Sequence, residues 1–253
     1  MLGTRPDLTY AVGKFTHYAH DPSKDHFKAV ARNFAYIANT LDFAIGYQKT
    51  LNGTDTDPLA TCDTNFAGEL STGHRCKSTS GNVFYMARGL ISWSNKLQPV
   101  IAISTMEAEY LSLYATACQA AWICQIFKAI GFPIQDSIYI YCDNEATISV
   151  ANKEGTHEAK KHIDVKYHYV QELVEQQKIL IQHCKSEDNE ADIMTKCLVS
   201  KAFGKTIHDF NFANSRNFLE SINYPHASPS SSSVPDTPPD PDSSTSAYVD
   251  ATK

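Results

Sequence analysis

Four carboxylates stand where ordinary structural duties explain them poorly: Asp63 in "PLATCDTNFAG", Glu109 in "STMEAEY", Asp143 in "SIYIYCDNEATISV" and Asp192 in "NEADIMTK". Asp63 falls in a strand-like run, where Asp is depleted because it suits a half-buried pleated surface badly. Asp143 ends the run Ile138 to Cys142, whose β-branched, aromatic and apolar residues read as a strand covered on both faces. An Asx residue there could cap the helix that begins near Glu145, but the adjoining Asn144 can do so equally. In "STME", Ser104 and Glu107 form a capping box, and Glu109 points roughly 200° away from Glu107 around the helix axis with no cap to make. Asp192 opens the last helix, where the macrodipole favours an acid by about 0.3–1 kcal/mol, a duty that Glu187, Asp188 and Glu190 serve as well.

These acids become chemistry if the fold gathers them. A mixed sheet whose first and fourth strands are neighbours brings Asp63 beside Asp143, with Glu109 and Asp192 supplied by helices starting at the same end. Two carboxylates about 4 Å apart repel by ~1 kcal/mol in water and ~4 kcal/mol at an effective dielectric of 20, so the group needs cations or protons. Hard divalent ions with oxygen ligands, above all Mg²⁺, are the natural counter-charge. Two such ions ~3.5–4 Å apart activate a water and stabilise the leaving oxygen in phosphodiester hydrolysis.

The elements that must position the acids are legible. "PLATCDTNFAG", "KSTSGNVFYMA" and "GLISWSN" read as three strands with tight turns. A long helix follows, its apolar face marked by Met106, Tyr110, Leu113, Ala117 and Cys124. Then come the strand ending at Asp143, a short helix from Glu145 to Ala151, a helix "KHIDVKYHYVQELVEQ", the strand "KILIQHC" and a final helix entered through "SEDNEADIMTK". The order βββαβαβα, with one extra helix, implies an α/β fold: a mixed sheet with helices against it.

The rest of the chain narrows the classes. Its 253 residues, 42% of them hydrophobic, suffice for one substantial core. No apolar run approaches the ~18 residues of a membrane span, and the N-terminal stretch lacks the pattern of a signal peptide. Seven cysteines without a Cys-x-x-Cys pair argue for reduced thiols, so a cytoplasmic or nuclear, non-secreted protein with no membrane partner is expected. His157 and His162 have a spacing that zinc could use, but no cysteine pair follows at ligand distance.

The net charge of −6 is shared between a tail from Pro225, with Asp236, Asp240, Asp242 and Asp250 against Lys253, and a nearly balanced remainder. Any polyanion must therefore be held by a local patch. The tail, residues 225–253, is rich in Pro, Ser and Asp and is expected to be disordered. Residues 1–50 read as two helices around "DPSKD", too little for an independent domain.

The strings "KSTSGNVFYMARGLISWSNKLQPVIAISTMEAEY", "CDNEATI", "KHIDVKYHYVQE" and "ADIMTK" occur in this order between Thr61 and Leu198. As a set they resemble the ribonuclease H domain of a Ty/copia-type retrotransposon Pol polyprotein. The resemblance implies a ribonuclease H-like domain over residues 57–213, with a mixed five-stranded sheet and flanking helices. It also implies a catalytic and metal-binding tetrad of Asp63, Glu109, Asp143 and Asp192 with two Mg²⁺ (or Mn²⁺) ions, and an RNA–DNA hybrid as partner and substrate. "TRPDLTYAVGKFTHYAHDPSKDHFKAVARNFAYIANTLDFAIGY" resembles the end of the adjoining reverse transcriptase region, which makes residues 1–50 a helical remnant of it and the polymerase part of Pol a further partner. No Tyr-x-Asp-Asp occurs in the chain, so polymerase chemistry is not implied.

Asn65, Phe66, Leu97, Cys197 and Val199 depart from the family pattern, and His183 is expected inside its strand rather than in a loop before the last acid. Hybrid contacts through backbone and ribose hydroxyls are expected from Arg75, Lys77, Lys160, Lys161, His162 and Lys166, the alternative being that these are ordinary solvated charges.

Two functions compete: a metal-dependent endonuclease that hydrolyses the RNA strand of hybrids, and a catalytically weak or inactive nucleic-acid-binding remnant. An integrase-type strand transferase fits less well, because its acid series ends in a helical Glu. Since the tail carries no core, truncation after Tyr224 is expected to leave the thermal midpoint within error; calorimetry of the two chains checks it, and a drop of several degrees would show that the tail packs.

Overall fold

The computed structural model of the chain describes residues 3–48, 57–68, 76–134, 137–152 and 161–214. The proline-rich tail, Arg75, His157 and Lys160 lie outside these residues.

A 3₁₀ turn at Pro6–Leu8 leads into α1 (Thr9–His17) and α2 (Lys24–Asn39), followed by β1 (Phe43–Ile45). Then come β2 (Leu59–Asn65), β3 (Thr79–Met86), β4 (Gly89–Leu97), α3 (Thr105–Ala129), β5 (Ile138–Cys142), α4 (Glu145–Ala151), α5 (Lys161–Glu175) and β6 (Ile179–His183). A 3₁₀ turn at Ser186–Asp188 precedes α6 (Asp192–Thr195), α7 (Ser200–Asp209) and β7 (Phe212–Asn214).

The main sheet has five strands in the order β4-β3-β2-β5-β6. The first three, β2, β3 and β4, run antiparallel, as short turns between them require. β5 joins β2 in parallel, and β6 joins β5 in parallel; α3 is the crossover that makes the first of these pairings possible. The first and fourth strands are thus neighbours, the arrangement on which the clustering of the acids depends.

Two cores sandwich the sheet. On one face Ala60, Cys62, Phe84, Ile138, Ile140 and Cys142 pack against Tyr110, Leu113 and Ala117 of α3 and Val170 and Leu173 of α5. On the other, Val83, Tyr85, Leu90 and Trp93 meet Ala191, Ile193, Met194 and Phe210. Along β5, Ile138, Ile140 and Cys142 are buried while Tyr139 and Tyr141 are only half-buried, so this strand is fully covered on one face rather than both.

The expected final helix is two pieces. α6 is a four-residue turn, and a separate α7 follows at Ser200. The short α6 has no side-chain cap and too few aligned peptides for a macrodipole to explain Asp192. His183 ends β6 and is exposed. β1 pairs antiparallel with β7 in a two-stranded clasp that joins the N-terminal segment to the end of the domain, a long-range pairing with no local sequence signal. α1 also packs on β4 and α6, so the N-terminal helices lean directly on the element that bears Asp192. Within that segment Asp7 is buried, accepting hydrogen bonds from Arg5 Nη2 (2.8 Å) and the Tyr36 hydroxyl (2.9 Å).

Gly81 of β3, the register partner of Asp63, lets α6 lie directly on the sheet. A Cβ there would come within 2.6 Å of Thr195 Cγ2, 2.7 Å of Met194 Cβ and 3.2 Å of the Ala191 carbonyl oxygen. Gly81→Ala would gain strand propensity, but overpacking of this kind costs more, typically about 1–3 kcal/mol. The variant is expected to melt lower than wild type; an unchanged or raised midpoint in denaturant titration would show that α6 yields freely.

Candidate active site

Each acid is delivered by a different element. The β2–β5 register ends with Thr61 opposite Tyr141, and Asp63 and Asp143 both lie two residues beyond it. Asp63 is almost wholly buried, with 1% of its surface exposed. Its backbone carbonyl accepts from Ser112 Oγ (2.8 Å), which ties it to α3. Asp143 follows the last residue of β5, and its Oδ2 accepts from Ser186 Oγ (2.7 Å). The neighbouring Asn144 caps α4, its Oδ1 accepting from the Thr147 N–H (2.9 Å), so Asp143 is not spent on capping.

Glu109 lies in the first turns of α3. Ser104 Oγ accepts from the Glu107 N–H (3.1 Å), and Glu107 Oε2 accepts from the Ile103 N–H (2.9 Å) rather than from that of Ser104. Glu107 is therefore occupied with the helix start. The Ala108 carbonyl accepts from Thr64 Oγ1 (3.1 Å) and Gln98 Nε2 (2.9 Å), which pins this turn to the sheet. Asp192 is held through the loop before it: Asn189 Nδ2 donates to the Cys62 carbonyl (2.9 Å), and Asn189 Oδ1 accepts from the Ala191 N–H (3.2 Å). Asn95 Nδ2 donates to the Met194 carbonyl, and Asn65 Nδ2 donates to the Thr195 carbonyl (3.2 Å). The departure from the family pattern at Asn65 thus has a packing role.

The four acids meet as two pairs. Lys196 Nζ bridges Asp63 Oδ1 (3.2 Å) and Asp192 Oδ1 (2.8 Å), while the Thr195 hydroxyl donates to Asp63 Oδ2. In the other pair, ligand atoms of Glu109, Asp143 and the Cys142 thiol lie within 4.8 Å of one another. The electrostatics joins the pairs. Burial, then the charges of Asp63, Cys142 and Asp143, push the Glu109 carboxyl up to about 10. Burial and Asp63 push Asp192 up to about 6, with Lys196 opposing. Burial would lower the Lys196 ammonium, but Asp63 and Asp192 outweigh it and hold the pKa above its ordinary value.

A divalent ion fits this donor set. Glu109 Oε2 is buried without a hydrogen-bond partner among the described residues, and such an oxygen is costly unless something cationic or protic meets it. Asp143, Asp63 and Asp192 supply further hard oxygens.

Sequence reasoning missed Cys142 as a neighbour of the carboxylates, Ser186 and Thr195 as their hydrogen-bond donors, and Lys196. The lysine stood in the motif "ADIMTK", where an i, i+4 pairing with Asp192 was available as a signal. Of the expected nucleic-acid contacts, Lys77 precedes β3 and is half-exposed, and Lys166 lies 5.5 Å from the ring centroid of Tyr114 on α3. Lys161 and His162 form the start of α5, and their side chains are not among the described ones.

The strand order defines an α/β fold with a mixed five-stranded sheet and flanking helices, and comparison with known sequences gives its lineage. No family model matches the chain. It is 30% identical over 203 residues, 80% of its length, to the retrovirus-related Pol polyprotein from transposon TNT 1-94 of Nicotiana tabacum. It is 34% identical over 200 residues, 79% of its length, to the corresponding polyprotein from transposon RE2 of Arabidopsis thaliana. The chain is homologous to retrovirus-related Pol polyproteins of Ty/copia-type transposons, and it spans 15% and 13% of the lengths of these two relatives. Among solved structures, an RNase H1 from the halophilic archaeon Halobacterium salinarum NRC-1 is 20% identical, with a TM-score of 0.40, 55% of this chain and 94% of that one being covered.

The raised acids give a pH signature. An acid whose folded pKa exceeds its unfolded value contributes stability that is complete below the unfolded value and is lost as pH rises through the folded one. Asp192, at about 6, and Glu190, raised by burial to about 7, have lost theirs near neutrality, whereas Glu109 at about 10 is still losing its own. The metal-free melting point is expected to fall between about pH 7.5 and pH 9.5, and Glu109→Gln to flatten that fall. Equal slopes in the two proteins, measured by calorimetry in chelator, would remove Glu109 from the buried cluster.

Proposed function

We propose that the chain is a metal-dependent endonuclease that hydrolyses the RNA strand of RNA–DNA hybrids. The observation that supports this most is the convergence of Asp63, Glu109, Asp143 and Asp192 at one end of the neighbouring strands β2 and β5, with a Glu109 oxygen that is buried and has no hydrogen-bond partner among the described residues. In this reading the four acids would hold two Mg²⁺ or Mn²⁺ ions, whose chemistry when bound would be activation of a water and stabilisation of the leaving oxygen of the phosphodiester. Ser186 fixes the carboxylate of Asp143, and Thr195 that of Asp63, so the ligands are aimed before any ion arrives. Burial of Asp63 excludes competing water and strengthens its interaction with positive charge, and Glu109 is half-buried beside it.

The hybrid partner is inferred from the family and from Lys77, Lys161, His162 and Lys166, which with Arg75 and Lys160 are assigned to its backbone. The polymerase part of a Pol polyprotein is the proposed protein partner, since the relatives are polyproteins of which this chain matches one segment.

The full chain is expected to cleave the RNA of a hybrid in Mg²⁺ or Mn²⁺ while sparing duplex DNA. Asp143→Asn should lose about a hundredfold or more of that rate, since the metal contribution is worth several kcal/mol. Retained cleavage in Asp143→Asn would overturn the site assignment. Hybrid binding without cleavage by the wild-type chain would favour the binding-remnant reading instead.

A further inference from the structure

We propose that Lys196 is an internal counterion to Asp63 and Asp192 that a divalent ion must displace to enter the site. The inference rests on the metal-site reading above and assigns to this lysine a role that reading does not include.

The geometry carries it. Asp63 is 1% exposed and sits on the sheet, where an uncompensated charge would be costly. The cation that meets it is the ammonium of Lys196, 3.2 Å from Asp63 and 2.8 Å from Asp192. It thus occupies the space between two carboxylates that a shared ion would also need, and an ammonium and a divalent ion held that close repel each other. The backbone makes the lysine part of the same turn as the ligand, since its N–H donates to the Asp192 carbonyl (2.8 Å). The ammonium therefore cannot leave the neighbourhood, but its side chain is 38% exposed and ends a flexible four-carbon stem, which gives it a route into water.

The division of the site follows. Asp63 and Asp192 are already neutralised by an ammonium in direct ion pairs, whereas among the described residues Glu109, Asp143 and Cys142 form no such ion pair, and Lys196 acts on Glu109 only through its more distant charge. The first ion is expected on the second group, and the lysine is expelled as the Asp63 and Asp192 pair is taken. No bond is made or broken in this exchange; one cation replaces another.

The test is calorimetric titration of Mn²⁺ into the full chain and into Lys196→Met, with melting points taken in chelator. Lys196→Met is expected to bind Mn²⁺ about tenfold more tightly than wild type and to melt lower without metal, because Asp63 and Asp192 then face each other unshielded. Equal or weaker Mn²⁺ affinity in the variant, with wild type binding normally, overturns the role of Lys196 and leaves the metal site standing. Absence of Mn²⁺ binding in both proteins overturns the metal reading and this inference with it. A second measurement needs no variant: in ¹⁵N-lysine-labelled wild type, an ammonium resonance protected by two carboxylates is expected in chelator and should vanish at saturating Mg²⁺. Its persistence under those conditions also overturns the proposal.

Discussion

The parallel pairing of β2 with β5 is the constraint on which the rest depends. It puts the ends of two strands side by side and, with them, Asp63 and Asp143, whose charges repel. Nothing local favours that juxtaposition. It is held by hydrophobic burial on both faces of the sheet, Cys62 and Cys142 against α3 on one and Val83 against Met194 on the other. Burial of this kind stabilises a domain by far more than the few kcal/mol by which a pair of carboxylates at partial exposure opposes it.

The repulsion is then met in two ways. Around Asp63 and Asp192 a side-chain ammonium supplies the counter-charge. Around Glu109 the charge of Lys196 opposes burial and the neighbouring acids only weakly, and the carboxyl, pushed up to about 10, is held in its neutral form instead. The two solutions differ because of chain geometry. α6 is a single turn whose following residue can fold its side chain back over Asp192 and reach Asp63, whereas Glu109 projects from the middle of a packed helix turn already pinned by Thr64 and Gln98.

The support of this site extends beyond the five-stranded sheet to the N-terminal helices. Asn95 of β4 holds the Met194 carbonyl, and a Cβ on Gly13 of α1 would lie 2.9 Å from the Asn95 side-chain oxygen. The N-terminal helices, which resemble the end of a reverse transcriptase region, thus touch the strand that positions α6. The β1–β7 clasp closes the same segment from the other side. An intact N-terminal segment is part of what keeps Asp192 in place.

Much of this was legible in the residues. The period of the strands, the Ser104 cap, the strand stop before Asp143 and the cap at Asn144 are local features, set by backbone preferences within a few residues, and they stand where the sequence puts them. The order of motifs is what put Asp63, Glu109, Asp143 and Asp192 forward as the proposed site. What the sequence could not determine is who meets whom across a distance. The one-sided burial of β5 depends on what lies over Tyr139 and Tyr141, and the break between α6 and α7 on the grip of the second core on Ile193 and Met194. Gly81 has meaning only because α6 rests on it. Lys196 reads as one more solvated charge until the sheet brings Asp63 within 3.2 Å of it. Local propensity is written residue by residue, but the charge environment of a side chain is a property of its neighbours in space, and those are fixed only when the two cores close around the sheet.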